Sequence, residues 1–410
     1  MVETVRWTDR ATHRHWLTAE GLDLLEFYRE SRLAGGGFGP LDVHGRLVSN
    51  TADTLITARM THVYALATIQ GVPGAASMAT HGVAALQDPL RDATHGGWFA
   101  MEPHDGFDDR KQCYIHVFVA LGAASAYQAG IDGAHALLGE ALDILETYFW
   151  SAEERAYRES YARDWTGLAD YRGANANMHA TELCLELADV LQDARWRERA
   201  LGLVERLIHG YARDNEYRVI EHFDGDWRAL PDYNIDKPHD GFYPYGATPG
   251  HGCEWARLLL HLEAGLLRDR HIDVPRWLAA DAIALFDTAM ADGWAADGYP
   301  GLVYTVDWHG QTSSGRRRHW THAEAAAASA ALADRTGKAR YEAWYRCLWD
   351  FIREVYIDSE RGSWFQELDD QLGLEANEGH LKADLYHAYQ ATLLPRLPLA
   401  PTLPLAVERL

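Results

Sequence analysis

Leu302-Val-Tyr-Thr-Val-Asp-Trp-His-Gly310 alternates apolar and polar residues up to a His-Gly tip, the pattern of a short β-hairpin. Five other stretches read the same way, at 37–45, 97–106, 157–165, 217–225 and 363–371. Their starts recur at intervals of about 60 residues, with one enlarged gap before Leu302, which is the spacing of an internal repeat. Between them lie segments of helical period near 11–29, 53–70, 75–90, 112–130, 133–150, 175–191, 196–209, 250–267, 275–290, 320–335, 338–355 and 380–394. The connections alternate between short turns and these long stretches, so each unit reads hairpin, helix, short turn, helix. One helix pair cannot bury both of its faces, and six pairs must therefore stack or close on each other. Closure predicts an all-α fold, an (α/α)6 barrel with the β-hairpins in the long loops gathered at one end; an open solenoid is the alternative. The absence of a linker predicts a single catalytic domain over 1–410, with 396–410 as an extended C-terminal tail.

Bulk composition narrows the function. Of 410 residues, 47% are hydrophobic and 24% charged, as in a soluble globular protein, and the net charge of −22 excludes nucleic acid or a polybasic membrane contact as partners. The first residues lack the apolar core of a signal peptide, and no apolar run reaches the roughly 18 residues of a membrane span. Cys113, Cys184, Cys253 and Cys347 are scattered with no CxxC, which predicts a reduced, cytoplasmic protein without sulfur-bound zinc. Many of the 15 tryptophans stand beside Gly, Asp or Arg in loops, where they suit either a sugar site or ordinary packing.

If the long loops share one end of a barrel, so do the first turns of the helices that follow them. Those turns carry Asp53 and Arg59; Lys111, Tyr114 and His116; Asn175, Asn177, His179 and Glu182; His251 and Glu254; Arg318, His319, Trp320, His322 and Glu324; and Lys382, Asp384, Tyr386 and His387. Three histidines have a carboxylate three residues away on the same helix: His179 with Glu182, His251 with Glu254, and His387 with Asp384. A carboxylate fixes the imidazole tautomer, and imidazole exchanges protons near neutrality, so a shared proton-transfer site is expected. The same spacing also suits helix capping and dipole pairing. A zinc site has no HExxH motif to support it, and a glycosidase would need a carboxylate pair that Asp232, Asp236, Asp240 and Glu367 do not single out.

Several of these motifs together resemble the N-acylglucosamine 2-epimerase superfamily of sugar isomerases and epimerases. They are Arg59 in Thr-Ala-Arg-Met-Thr-His-Val-Tyr, Lys111-Gln-Cys-Tyr114, Asn175-Ala-Asn-Met-His179, Gly250-His251-Gly-Cys-Glu254-Trp255, His319-Trp320-Thr-His-Ala-Glu324 and Lys382-Ala-Asp-Leu-Tyr-His387. Within it the chain looks most like bacterial mannose isomerases and sulfosugar isomerases. The resemblance implies an (α/α)6 barrel, no metal and no cofactor, and His251 and His387 as acid/base catalysts. It implies Arg59, Tyr114, His179, Glu254 and Trp320 around the sugar, and Asn175 and Asp384 stand beside them as further binding candidates. The expected reaction interconverts mannose and fructose through ring opening and a cis-enediol, with a monosaccharide as the partner and a monomer or homodimer as the assembly. A 2-epimerase, a sulfosugar isomerase that uses Arg316-Arg317-Arg318 for its anionic group, and a non-catalytic sugar-binding barrel are the alternatives.

Overall fold

Every one of the twelve helical segments expected from sequence forms a helix in a computed structural model, which describes residues 5–103, 106–269, 273–374 and 381–410. The His104–Asp105 part of the second loop, the middle of the turn at 268–274 and the expected helix start at 380 lie outside the described residues. The outer helices are α1 (Ala11–Phe27), α3 (Ala75–Gln87), α5 (Ala134–Ile144), α7 (Arg195–Val204), α9 (Trp277–Gly293) and α11 (Ala339–Phe351). The inner helices are α2 (Thr54–Ile69), α4 (Cys113–Gln128), α6 (Ala174–Val190), α8 (Pro249–Arg268), α10 (His319–Thr336) and α12 (Tyr386–Leu393). Each inner helix packs on an outer partner and on the next inner helix, and α12 returns to α1 and α2. The chain is a closed (α/α)6 barrel.

Inner and outer helices differ because their surroundings differ. α6 and α8 are buried on every side, between the outer ring, two neighbours and the barrel axis, and their polar residues must therefore find partners inside. Where inner helices approach closely, only glycine fits: a Cβ on Gly122 of α4 would stand 2.6 Å from the Ala58 carbonyl of α2.

The long loops make local turns, such as the hairpin of 305–306 with 312–314, but their main work is to join repeats. The residue just ahead of each inner helix pairs antiparallel with the next long loop. The pairs are Asp53 with Met101, Lys111 with Tyr161, Arg172 with Phe223, Ala247 with Val306, Arg317 with Leu368, and Lys382 with Leu41. The last pair joins the end of the ring to its beginning. The same register gives a helix-start N–H its acceptor: Thr54 donates to Ala100, Cys113 to Glu159, Ala174 to Glu221 and His319 to Gln366.

Two further devices repeat with different side chains. The fourth residue of four inner helices accepts from a backbone N–H of the loop that precedes the helix: Thr57 from Phe38, His116 from Trp98, Asn177 from Tyr157, and His322 from Leu302. A buried cation at the loop pairing meets an acid in four repeats: Lys111 with Asp92, Arg172 with Glu154, Arg317 with Asp297 and Lys382 with Asp358.

The tail departs from its expected form. Residues 396–410 do not run as an extended strap: Leu403–Ala406 form a helical turn and Val407–Arg409 a tighter one. Thr402 gives its backbone N–H and its hydroxyl to Asp189 at the lower end of α6, which ties the tail across the far end of the barrel. α12 also starts later than expected, because Leu381–Lys382 are used in the ring-closing pair.

Lys382 is fully buried, so breaking its pair leaves the buried Asp358 with only the part-exposed Arg361, 3.7 Å away, as a cationic neighbour. Lys382→Met is expected to lower unfolding free energy by about 3 kcal/mol or more in urea titrations. Asp9→Ala, which breaks the exposed Arg6–Asp9 pair, is expected to cost less than about 1 kcal/mol.

Candidate active site

All nine residues singled out from sequence, Arg59, Tyr114, Asn175, His179, His251, Glu254, Trp320, Asp384 and His387, line one cavity of about 310 Å³ at the loop end of the barrel. Its size suits a single sugar ring at the lower limit of small-molecule pockets. The floor comes from the first turns of inner helices. The walls come from the long loops, including Gly241, Phe242 and Pro244 from the enlarged gap before Leu302.

The histidine partners are not the ones that helical spacing suggested. His251 Nδ1 lies 2.7 Å from Glu221, on the loop paired to the start of α6, and makes no such contact with Glu254. His387 Nδ1 lies 2.9 Å from Glu324 on α10, whereas Asp384 pairs with Arg59 at 3.1 Å. Only His179 keeps its own-helix partner, Glu182, at 3.2 Å. The physical reason is direction. Glu221 and Glu324 reach the imidazoles from a loop and a neighbouring inner helix, and Asp384, which precedes α12, is taken by Arg59. In both His251 and His387 the Nδ1–H donates to a carboxylate, which selects the tautomer that carries its lone pair on Nε2 when the ring is neutral. Trp320 stands against both rings, with centroids 5.0 Å from His251 and 5.8 Å from His387.

Arg59 is held in a fixed pose. It donates to Asp384 at 3.1 Å and to Tyr114 at 2.9 Å, and it lies over Phe118 and Tyr386. Burial opposes its charge, but Tyr114 and Asp384 outweigh it and keep the guanidinium protonated; Arg59 in turn holds Asp384 below the usual carboxylate range against its own burial.

At the cavity floor, where Glu254 lines it and Glu182 and Glu324 lie behind, three carboxylates share one guanidinium. Burial would raise Glu182, yet His179 and Arg257 hold it low, and Tyr386 donates to it at 2.6 Å. Burial would raise Glu324 as well, but Arg257, which donates Nε at 2.8 Å, and His387 keep it ionised. Glu254 is the third, and burial together with the nearby Glu324 charge pushes it well above the ordinary range. Burial also brings His179 down to about 4, so it is neutral near pH 7. His179, Glu182 and Glu254, and also Glu254, Glu324 and His387, offer atoms within 4.8 Å of one another, close enough to share an ion. The Arg257 guanidinium already stands among the three carboxylates, 3.7 Å from Glu182 and 3.8 Å from Glu254, and supplies the positive charge there.

Other residues of the sequence pattern serve the scaffold. His116, Asn177 and His322 hold loops, Lys111 and Lys382 are in buried ion pairs, and Tyr386 supports Glu182. The arginine run is also engaged: Arg316 and Arg318 meet Glu367, and Arg317 meets Asp297.

Sequence reasoning missed Glu221, Arg257, Tyr304 and Gln366. Three of them share a signal. Glu159, Glu221, Tyr304 and Gln366 each lie two residues before the paired residue of their loop, and Tyr304 and Gln366 line the cavity while Glu221 holds His251. Aligning the repeats on their loops would have exposed that column.

The sequence from 36 to 391 matches the family N-acylglucosamine 2-epimerase (GlcNAc 2-epimerase), and the chain belongs to that family of sugar epimerases and isomerases. It is 52% identical over 407 residues to a D-mannose isomerase of Pseudomonas cannabina pv. alisalensis, covering 98% of this chain and 97% of the relative. It is 46% identical over 401 residues to a D-mannose isomerase of Thermobifida fusca, covering 97% of each. A crystal structure of a D-mannose isomerase superposes with a TM-score of 0.86 at 28% identity, covering 93% of this chain and 97% of that one.

Glu221 and Glu324 act on the histidines from other elements. Glu221→Gln and Glu324→Gln are each expected to lower kcat by at least about 10-fold with little change in KM, since the amide can leave the imidazole in the wrong tautomer. A drop confined to KM would remove the orienting role.

Buried imidazoles also set the acid limit. Burial lowers His62, His179 and His319 to about 4, and His116, His261 and His322 to about 3. Each stays neutral when folded but takes up a proton unfolded below about pH 6.5, so stability falls as pH drops from there toward the folded values. Glu159, raised to about 7, and Asp53, raised to about 6, work in the opposite direction and, with Glu254 and Glu186, offset part of the loss. Below about pH 4.5 protonation of Glu182, Glu324 and Asp384 adds to it. The melting temperature is expected to be lower at pH 5 than at pH 7, and lower again at pH 4.

Proposed function

We propose that this protein is an aldose–ketose isomerase that interconverts D-mannose and D-fructose by imidazole acid/base catalysis without a metal. The observation that carries the reaction type is the pair His251 and His387. Both have Nδ1 fixed by a carboxylate from another element, and both lie against Trp320 in one cavity. The choice of sugar rests on the relatives, two of which are D-mannose isomerases covered almost end to end.

The reaction divides among these groups. Opening the pyranose needs a proton on the ring oxygen and removal of the proton from the anomeric hydroxyl. The aldehyde then acidifies the hydrogen on carbon 2, and a neutral imidazole removes it to give a cis-enediol. Returning a proton to carbon 1 while the hydroxyl on carbon 2 gives up its own completes the ketose. Arg59, anchored by Asp384 and Tyr114, is a preorganised donor for the developing enediolate oxygen. Trp320 supplies a flat wall for the sugar, and Asn175 and His179 offer hydrogen bonds to hydroxyls. Arg316 and Arg317 are paired with Glu367 and Asp297 and are not among the lining residues, and Arg318, which lines the cavity, shares Glu367; the relatives therefore decide for an uncharged hexose over a sugar with an anionic group. Four free cysteines fit a reducing cytoplasm.

Incubation with D-mannose in deuterated water is expected to give fructose as first product, with label at carbon 1 of the fructose and at carbon 2 of the recovered mannose, and equal rates with and without chelator. Glucose as first product would replace the isomerase by an epimerase, and loss of activity to chelator would end the metal-free reading. His251→Ala and His387→Ala are each expected to reduce turnover by at least about 100-fold with an unchanged circular dichroism spectrum.

A further inference from the structure

Glu254 is the one carboxylate of the buried triad that no protein donor serves. It is 1% exposed, it lines the cavity, and neither of its oxygens has a hydrogen-bond partner among the described residues. Its neighbours on every packed element are already committed. On α6 His179 and Glu182 bond each other, on α10 and α12 Glu324 bonds His387, and on α2 and α4 Arg59 bonds Tyr114 and Asp384. An ionised carboxylate without a donor is costly in such a place, and two further carboxylates at short range make it more so.

We propose that Glu254 stands in the cavity as the neutral acid and delivers the proton to the ring oxygen that opens the pyranose. This rests on the isomerase reading above and supplies the acid that its first step requires. As the Glu254 O–H bond breaks, its proton goes to the ring oxygen and the bond from carbon 1 to that oxygen breaks. The anomeric hydroxyl loses its proton to the Nε2 of one of the imidazoles, and carbon 1 becomes the carbonyl. Closing the ketose ring reverses the transfer and restores both groups.

The conjugate base has a partner waiting. Arg257 Nη2 is buried, has no hydrogen-bond partner, and lies 3.8 Å from Glu254 Oε1. Before transfer that gap is too long for a hydrogen bond. After transfer a small approach gives the new carboxylate a charge-assisted donor. The elevated affinity of Glu254 for its proton, caused by burial and Glu324, agrees with this resting state.

Ring opening can be read apart from isomerisation, because exchange between the α and β anomers of D-mannose passes through the open chain. Exchange NMR is expected to show that the wild-type protein accelerates anomer exchange and that Glu254→Gln lowers this acceleration at least about 100-fold. Sugar binding, followed by protein fluorescence, should stay within about threefold, since the amide keeps the shape. Glu254→Asp, an acid set back by one methylene, should retain measurable exchange. Wild-type-like exchange in Glu254→Gln overturns the proposal, as does a wild-type protein that isomerises without accelerating exchange. Loss of binding together with exchange in both variants also overturns it, by assigning Glu254 to binding. A wild-type protein that makes no fructose from mannose sinks the isomerase reading itself, and does so in a separate measurement.

Discussion

Everything in this molecule depends on a ring of backbone pairings between the start of each inner helix and the loop of the next repeat. Helix packing alone would allow a stack that continues, since each pair presents the same faces to its neighbours. The pairing of Lys382 with Leu41 removes that freedom by tying the last repeat to the first. Four of these pairings also set a buried cation beside its acid, and four give a helix-start N–H its acceptor. Because side chains alternate along an extended strand, the register that closes the ring also fixes which loop residues face the axis. Glu221 reaches His251 for that reason.

The cavity is built from charges that have already been neutralised. Asp384 serves Arg59, Glu221 serves His251, and Glu324 serves both His387 and Arg257. Each pair is buried, so its geometry is set by packing and needs no reorganisation by solvent when a sugar enters. Arg257 occupies the place among the carboxylates where a divalent ion would otherwise be suited.

Much of the fold was legible in the sequence. Helical periods, short turns and recurring loops located the twelve barrel helices, because each helix must bury a face and the turns at 71–74, 130–133 and 336–337 show their glycines. The candidate site was legible as a set of residues: the nine positions do meet in one cavity. Their partnerships were not. Helical spacing paired His251 with Glu254 and His387 with Asp384, and both pairings are replaced by contacts from distant parts of the chain. Nor could the sequence separate histidines that face the cavity from those that hold the frame. His322 and His319 sit on one helix turn, yet His322 anchors the Leu302 backbone while His319 lines the cavity.

The sequence by itself determined the repeat, the helices, the end of the barrel where polar residues collect, and the residue types available for proton transfer. These follow from periodicity and composition, which are local properties. Tertiary structure alone decided the ring closure, the carboxylate that orients each imidazole, the commitment of three arginines to scaffold acids, and the isolation of Glu254. Those depend on which chain segments meet across tens or hundreds of residues. A hydrogen bond is satisfied by whatever donor is near in space, and distance along the chain carries no record of that.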